Sequence, residues 1–212
     1  MPRILFFDLE TRLLAADLHP DRDAGWAALR AGEGGISALC IYDSSTGWCH
    51  LYDDHTLAGA VMHLEAADAV VGFASKTFDV PVIEGLLGRK LVLNYHYDIL
   101  EEATRTSAQQ GLRRHRGDWT LDETSKRTLG RGKINHGSHA KELAEGGRWG
   151  ELFNYCCDDV HLTHDLFRYI QEHGGIVRPD RGFLNLTLPE WLNDRGTHAS
   201  NQQQRPDPEG EV

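Results

Sequence analysis

The stretch Arg3–Thr11 (RILFFDLET) constrains this chain more than any other. Ile4, Leu5, Phe6 and Phe7 form a short apolar run, and Asp8 and Glu10 stand at its end. A run this short and bulky reads as a buried strand. Side chains alternate along a strand, so Asp8 and Glu10 share one face while Leu9 turns back into the core. Two carboxylates side by side at the edge of an apolar sheet repel each other unless positive charge lies between them. A divalent cation answers that repulsion. The plainer alternative is a polar strand end whose acids cap a following helix.

The 212 residues suffice for one well-packed domain with a tail, not for two full domains. A formal net charge of −10 argues against a protein that coats nucleic acid by bulk electrostatics. It leaves room for an enzyme that meets phosphate through bound cations and a local basic patch. Cys40, Cys49, Cys156 and Cys157 show no CxxC spacing, so a reducing, cytoplasmic setting is expected. No secretory region and no long apolar span is present, so neither export nor membrane insertion is expected.

Further along, LLAADL and GWAALRAG suggest short helical turns, and ISALCIYD and WCHLYDD suggest two strands joined by a Ser-Ser-Thr-Gly turn. Thr56 is expected to cap a helix through LAGAVMHLEAA. AVVGF reads as a strand buried on both faces, Val80–Leu87 as a helix, and NYHYDIL as a strand leading into the helix LEEATRTS. Residues 109–133 are locally basic, with Thr120 opening a helix, and Lys141–Glu145 forms a helical turn. A long helix should run from near Trp149 to about His173, where Gly174-Gly175 ends it. GFLNLTLPEW suggests a terminal hairpin strand. The domain is expected over 1–192, and the polar composition of 193–212 predicts a disordered tail.

Three acidic motifs follow in order: FDLET with Asp8 and Glu10, VVGFASKTFDVPVI with Asp79, and YCCDDVHLT with Tyr155 and Asp159 four apart on one helix face. The set resembles the DEDD superfamily of 3′-to-5′ exonucleases, which have a ribonuclease H-like fold shared with polymerase proofreading domains. The Tyr-x-x-x-Asp spacing matches the tyrosine-bearing branch; the other branch would need histidine where Asn154 stands. From about residue 3 to 170 the chain is most similar to bacterial ribonuclease H-like proteins whose longer members partner DNA-repair helicases. One departure is Ala74, where many relatives carry asparagine.

The resemblance implies an α/β fold: a mixed five-stranded sheet in the order 3-2-1-4-5 with helices on both faces. It implies hydrolysis of phosphodiester bonds at single-stranded DNA or RNA 3′ ends, DNA favoured, in DNA repair, with a helicase as the partner class. Two Mg²⁺ or Mn²⁺ ions are the implied cofactors. By the family's pattern Asp8, Glu10 and Asp159 hold the ion that activates water, Asp8 and Asp79 the one that stabilises the leaving group, and Tyr155 orients the water. Leu9, Thr11 and Phe78 would line the substrate. All-oxygen donors suit these hard cations, and a cation pair serves phosphodiester cleavage well.

Other readings compete. Arg113, Arg114 and Arg116 form either a phosphate-tracking surface or a solvated loop. Asp158 neighbours Asp159, but only Asp159 lies four residues after Tyr155. His136 and His139 suggest zinc, without a nearby cysteine to complete a site. His161 and His164 read as an exposed helix face. A haloacid-dehalogenase-type phosphatase also begins with a strand ending in Asp, but wants Asp where Glu10 stands and Thr where Arg12 stands. A catalytically silent nucleic-acid binding module on the same fold gains nothing from clustered acids facing phosphate.

Overall fold

In the computed structural model, residues 2–112, 117–133 and 138–193 are described. The expected tail therefore lies, beyond Asn193, outside the described residues. The opening run forms β1 (Ile4–Thr11), which pairs antiparallel with β2 (Ile36–Asp43) on one side and parallel with β4 (Ala69–Gly72) on the other. β3 (Trp48–Tyr52) pairs antiparallel with β2, and β5 (His96–Asp98) pairs parallel with β4. The order is β3-β2-β1-β4-β5, as expected from the sequence.

Alternation along β1 divides the molecule into two cores. Phe6 joins Cys40, Val71, Tyr97 and the apolar flank of one long helix, whereas Leu5, Phe7 and Leu9 join Leu39, Ile41, Val70 and the opposite layer. The helices α1 (Ala15–Leu18) and α2 (Arg22–Arg30) occupy the connection after β1. α3 (Leu57–Glu65) and α4 (Asp79–Leu87) build the second core. α5 (Ile99–Gln109), α6 (Leu121–Leu129), α7 (Ser138–Glu145) and α8 (Trp149–His173) cover the first.

Several local expectations hold for the physical reasons given. Thr120 accepts a hydrogen bond from the Glu123 amide at the start of α6. α8 stops where Gly174 takes a left-handed conformation, φ 82°, which glycine adopts without strain. Thr56 is a partial correction. It holds the N-cap position of α3 as expected, but its hydroxyl accepts from the Asp53 amide and donates to the Asp53 carboxylate, so the side chain closes the preceding turn and gives α3 no capping bond. The terminal hairpin strand is present but shorter than expected: β7 covers only Phe183–Asn185. It pairs with β6 (Gly175–Val177), a strand the sequence reading missed because it follows α8 directly. Among the described residues, no helix is long and apolar enough to cross a membrane.

Candidate active site

β1 is longer than its parallel neighbour. Its pairing with β4 covers Ile4 to Phe6, while its pairing with β2 continues to Thr11. Asp8 and Glu10 therefore project from the far part of the strand, on the face that packs against α8. Opposite them, α8 presents Tyr155 and Asp159 one turn apart, both buried. Carboxylate oxygens of Asp8, Glu10 and Asp159 all lie within 4.8 Å of one another.

Asp79 begins α4 and reaches the same strand from the other side of the gap. Its Oδ1 accepts from the Leu9 amide at 3.0 Å, and the residue is 3% exposed. The loop that delivers it is held by Asp98, whose carboxylate accepts from the amides of Ala74, Lys76, Leu100 and Glu101. Asp98 thus fastens the 74–76 segment and the start of α5 at once. Ala74 sits at φ 65°, a region that asparagine tolerates better than alanine.

One cation enters the acidic trio. Lys133 Nζ lies 2.6 Å from Asp159 Oδ2 and 5.7 Å from the centre of the Tyr155 ring. Its backbone is held in place by α6, since the Lys133 amide donates to Asp122 Oδ1 at 2.9 Å. A Cβ on Gly132 would fall 2.2 Å from that same oxygen, so a larger residue there would push the Asp122 carboxylate off the Lys133 amide. The sequence reading missed Lys133 as a site residue because it sat within a generally basic segment. The available signal was its place between glycine-rich loop and third motif.

A single ammonium does not balance these acids. Burial, then the charges of Asp79, Asp159 and Glu10, hold the Asp8 carboxyl well above its ordinary range. Burial pushes Glu10 up to about 8, although Lys133 pulls it down. Burial likewise lifts Asp79 to about 7 against the opposing Leu9 hydrogen bond, and raises Asp159 against Lys133. Burial disfavours the Lys133 ammonium, yet Asp8 and Asp159 more than offset this and raise its pKa. Burial and then Glu10 raise the Tyr155 phenol, so it keeps its proton at neutral pH. The Tyr155 hydroxyl is buried and has no hydrogen-bond partner among the described residues. An orphaned buried hydroxyl beside excess carboxylate fits a site that receives a cation and its water.

The other expected site residues are placed differently. Leu9 is buried in the second core, the Thr11 hydroxyl donates to the Leu13 carbonyl, and Phe78 packs edge-on to Trp26 at 5.6 Å. Asp158 is exposed. The His139 ring lies 6.4 Å from Tyr155, while His136 falls outside the described residues. Arg113, Arg114 and Arg116 also lie outside them.

Sheet order and layering define a ribonuclease H-like α/β fold carrying an acidic centre at the end of its first strand. No protein-family model and no curated protein matches the chain. Among solved structures it is similar to the family B DNA polymerase from the hyperthermophilic archaeon Pyrobaculum calidifontis, with TM-score 0.56 and 18% identity over 80% of this chain. The chain spans 24% of that polymerase chain, and the likeness shows the fold.

Proposed function

We propose that the protein is a metal-dependent 3′-to-5′ exonuclease of the tyrosine-bearing DEDD type, acting on single-stranded nucleic-acid ends, with DNA favoured. The observation that carries this reading is the convergence of Asp8, Glu10 and Asp159 within 4.8 Å, from opposite ends of the sequence. Asp8, Glu10 and Asp159 would hold one Mg²⁺ or Mn²⁺, and Asp8 with Asp79 a second. Such a pair supplies a nucleophilic water and neutralises charge on the phosphorus and the leaving oxygen.

The chain's own groups have distinct tasks. The Leu9 amide fixes the Asp79 carboxylate beside β1. The Tyr155 hydroxyl, protonated and otherwise unpartnered, would orient the attacking water. Lys133 limits repulsion in the trio when no cation is bound. The likeness to a DNA polymerase supports a nucleic-acid substrate. A helicase that exposes single strands is the class of partner such an activity fits.

Lys133 also favours a second reading. An internal counter-ion on Asp159 lets the fold stand without metal, as a silent binding module would. Digestion of 5′- and 3′-labelled single-stranded DNA and RNA, with Mg²⁺, Mn²⁺ or chelator, separates the two. Shortening from the 3′ end that needs metal and is lost in Asp8→Asn supports the exonuclease. Binding without cleavage supports the module, and full turnover in excess chelator overturns the metal assignment.

A further inference from the structure

Three thiols far apart in sequence meet on the sheet face that packs against α8. Cys40 lies opposite Leu51 and Tyr42 opposite Cys49, so Cys40 and Cys49 are diagonal neighbours on one face of the β2–β3 hairpin. Cys157 reaches them from α8. The three sulfur atoms all lie within 4.8 Å of one another, and those of Cys40 and Cys157 are 3.2 Å apart. A fourth donor stands beside Cys49, outside the 4.8 Å span that holds the three sulfurs. His161 follows Cys157 by one helical turn and brings Nε2 to 3.4 Å from Cys49 Sγ. The acidic centre uses none of these four groups.

We propose that Cys40, Cys49, Cys157 and His161 form a tetrahedral site for a soft divalent cation, Zn²⁺. With Zn–S near 2.3 Å and Zn–N near 2.0 Å, the edges of the tetrahedron are about 3.8 Å between sulfurs and about 3.5 Å from sulfur to nitrogen. The Cys49–His161 separation of 3.4 Å already fits such an edge, and the exposed His161 side chain must swing toward the other two sulfurs to complete the shell. The Cys40–Cys157 separation of 3.2 Å must open by about half an ångström to fit one. Thiolates and imidazole select zinc over magnesium, just as the carboxylate trio selects the reverse. Adjacent Cys156 is not a ligand, because its Sγ faces the Asp8 carbonyl at 3.4 Å. The Tyr42 ring stands edge-on to His161 at 5.0 Å and restrains the imidazole.

Binding releases the three thiol protons and leaves three thiolates and one neutral imidazole on the cation. That donor set closes the coordination shell and leaves no position for water, so the site is structural. It ties the hairpin to the turn of α8 that also carries Tyr155 and Asp159. The cation thereby holds the third acidic motif against the sheet without touching substrate.

Cobalt reports thiolate ligation directly. The reduced full-length protein is titrated with Co²⁺ in excess Mg²⁺, then with Zn²⁺, and zinc stoichiometry is counted by native mass spectrometry. The expected result is one equivalent of tetrahedral cobalt with sulfur-to-cobalt charge transfer, displaced by zinc. Cys49→Ser should weaken zinc affinity at least about a hundredfold and His161→Ala at least about tenfold, both folded by circular dichroism. Asp8→Asn should leave the bands unchanged, which separates this site from the acidic centre. Absence of charge transfer in the reduced protein, or equal bands in Cys49→Ser, overturns the proposal. Reduced protein that takes up no zinc and forms a Cys40–Cys157 disulfide on oxidation would make the cluster a redox pair instead, and would also overturn it.

Discussion

Carboxylates withdrawn from solvent, Asp43 fully and Asp8 and Glu10 partly, occupy both ends of the β1–β2 ladder, and they are treated in opposite ways. At the near end, Asp43 pairs with Leu5 in register and accepts hydrogen bonds from Arg3 Nε, the Ser45 amide and the Ser45 hydroxyl. Burial pushes its carboxyl up, but those bonds more than offset the push and leave it below the ordinary range. At the far end, Asp8, Glu10, Asp79 and Asp159 share one ammonium and are all raised. The near acid stabilises the fold. The far acids cost stability, and a cost retained inside a well-packed sheet marks a site shaped for something other than folding.

The largest effect is expected at the far end. Asp8→Asn should lower cleavage about a thousandfold or more in single-turnover assays with Mg²⁺, because it removes the shared ligand. The same change should raise the Tm of metal-free protein, since it relieves repulsion. A lower Tm with activity kept would invert the comparison.

At the near end the signs reverse. Asp43→Ala takes the carboxylate from Arg3, which keeps its contact with His63, and from the exposed Ser45 groups, and should cost about 1–3 kcal/mol in denaturant unfolding. The protein that remains folded should cleave at the normal rate. Loss of rate without loss of stability would mean that Asp43 belongs to the functional machinery.

Tyr155→Phe sharpens the distinction within the far end. The hydroxyl has no partner among the described residues, so its removal should change stability by less than about 0.5 kcal/mol. Turnover should fall roughly tenfold to a thousandfold, with metal affinity unchanged. An unaltered rate would reduce Tyr155 to a core aromatic.

The two ends also differ in pH. Glu10 titrates near 4.5 when unfolded and near 8 when folded, so its folded form holds the proton more tightly. Metal-free stability should therefore fall as pH rises from about 4.5 to about 8, a window set by Glu10 and overlapped by Asp79 up to about 7. Asp43 works the other way, and its contribution is lost as pH falls through its lowered pKa. Thermal melts across pH, with chelator and with Mg²⁺, test both. Added Mg²⁺ should flatten the alkaline decline, and a decline that persists would place its cause elsewhere.

Much of this arrangement is legible in the residues because it obeys short-range periodicity. Alternation placed Asp8 and Glu10 on one face, and a spacing of four placed Tyr155 and Asp159 on another. Strand order followed from the motifs through their resemblance. What escaped the sequence depends on tertiary encounter. Lys133 acquires its role from Asp122, which holds its backbone, and from Asp159, which receives its ammonium. Cys40 and Cys157 are 117 residues apart and meet only when α8 lies on the sheet. Asp98 read as part of a strand, yet its carboxylate serves four amides that no local pattern brings together.

The early end of β4 has a consequence for how the chain tolerates changes in length. Between Gly72 and Asp79, residues 73–78 must deliver one carboxylate oxygen to the Leu9 amide, with Asp98 gripping the segment midway. An inserted residue there would slide Asp79 along the strand edge and separate it from Asp8. The 44–47 turn between β2 and β3 delivers nothing to the acidic centre, but its Ser45 serves Asp43 and its Gly47 sits at φ 76°. A change of length in the first connection acts on the spacing of the acids, and one in the second acts on the stability that Asp43 supplies.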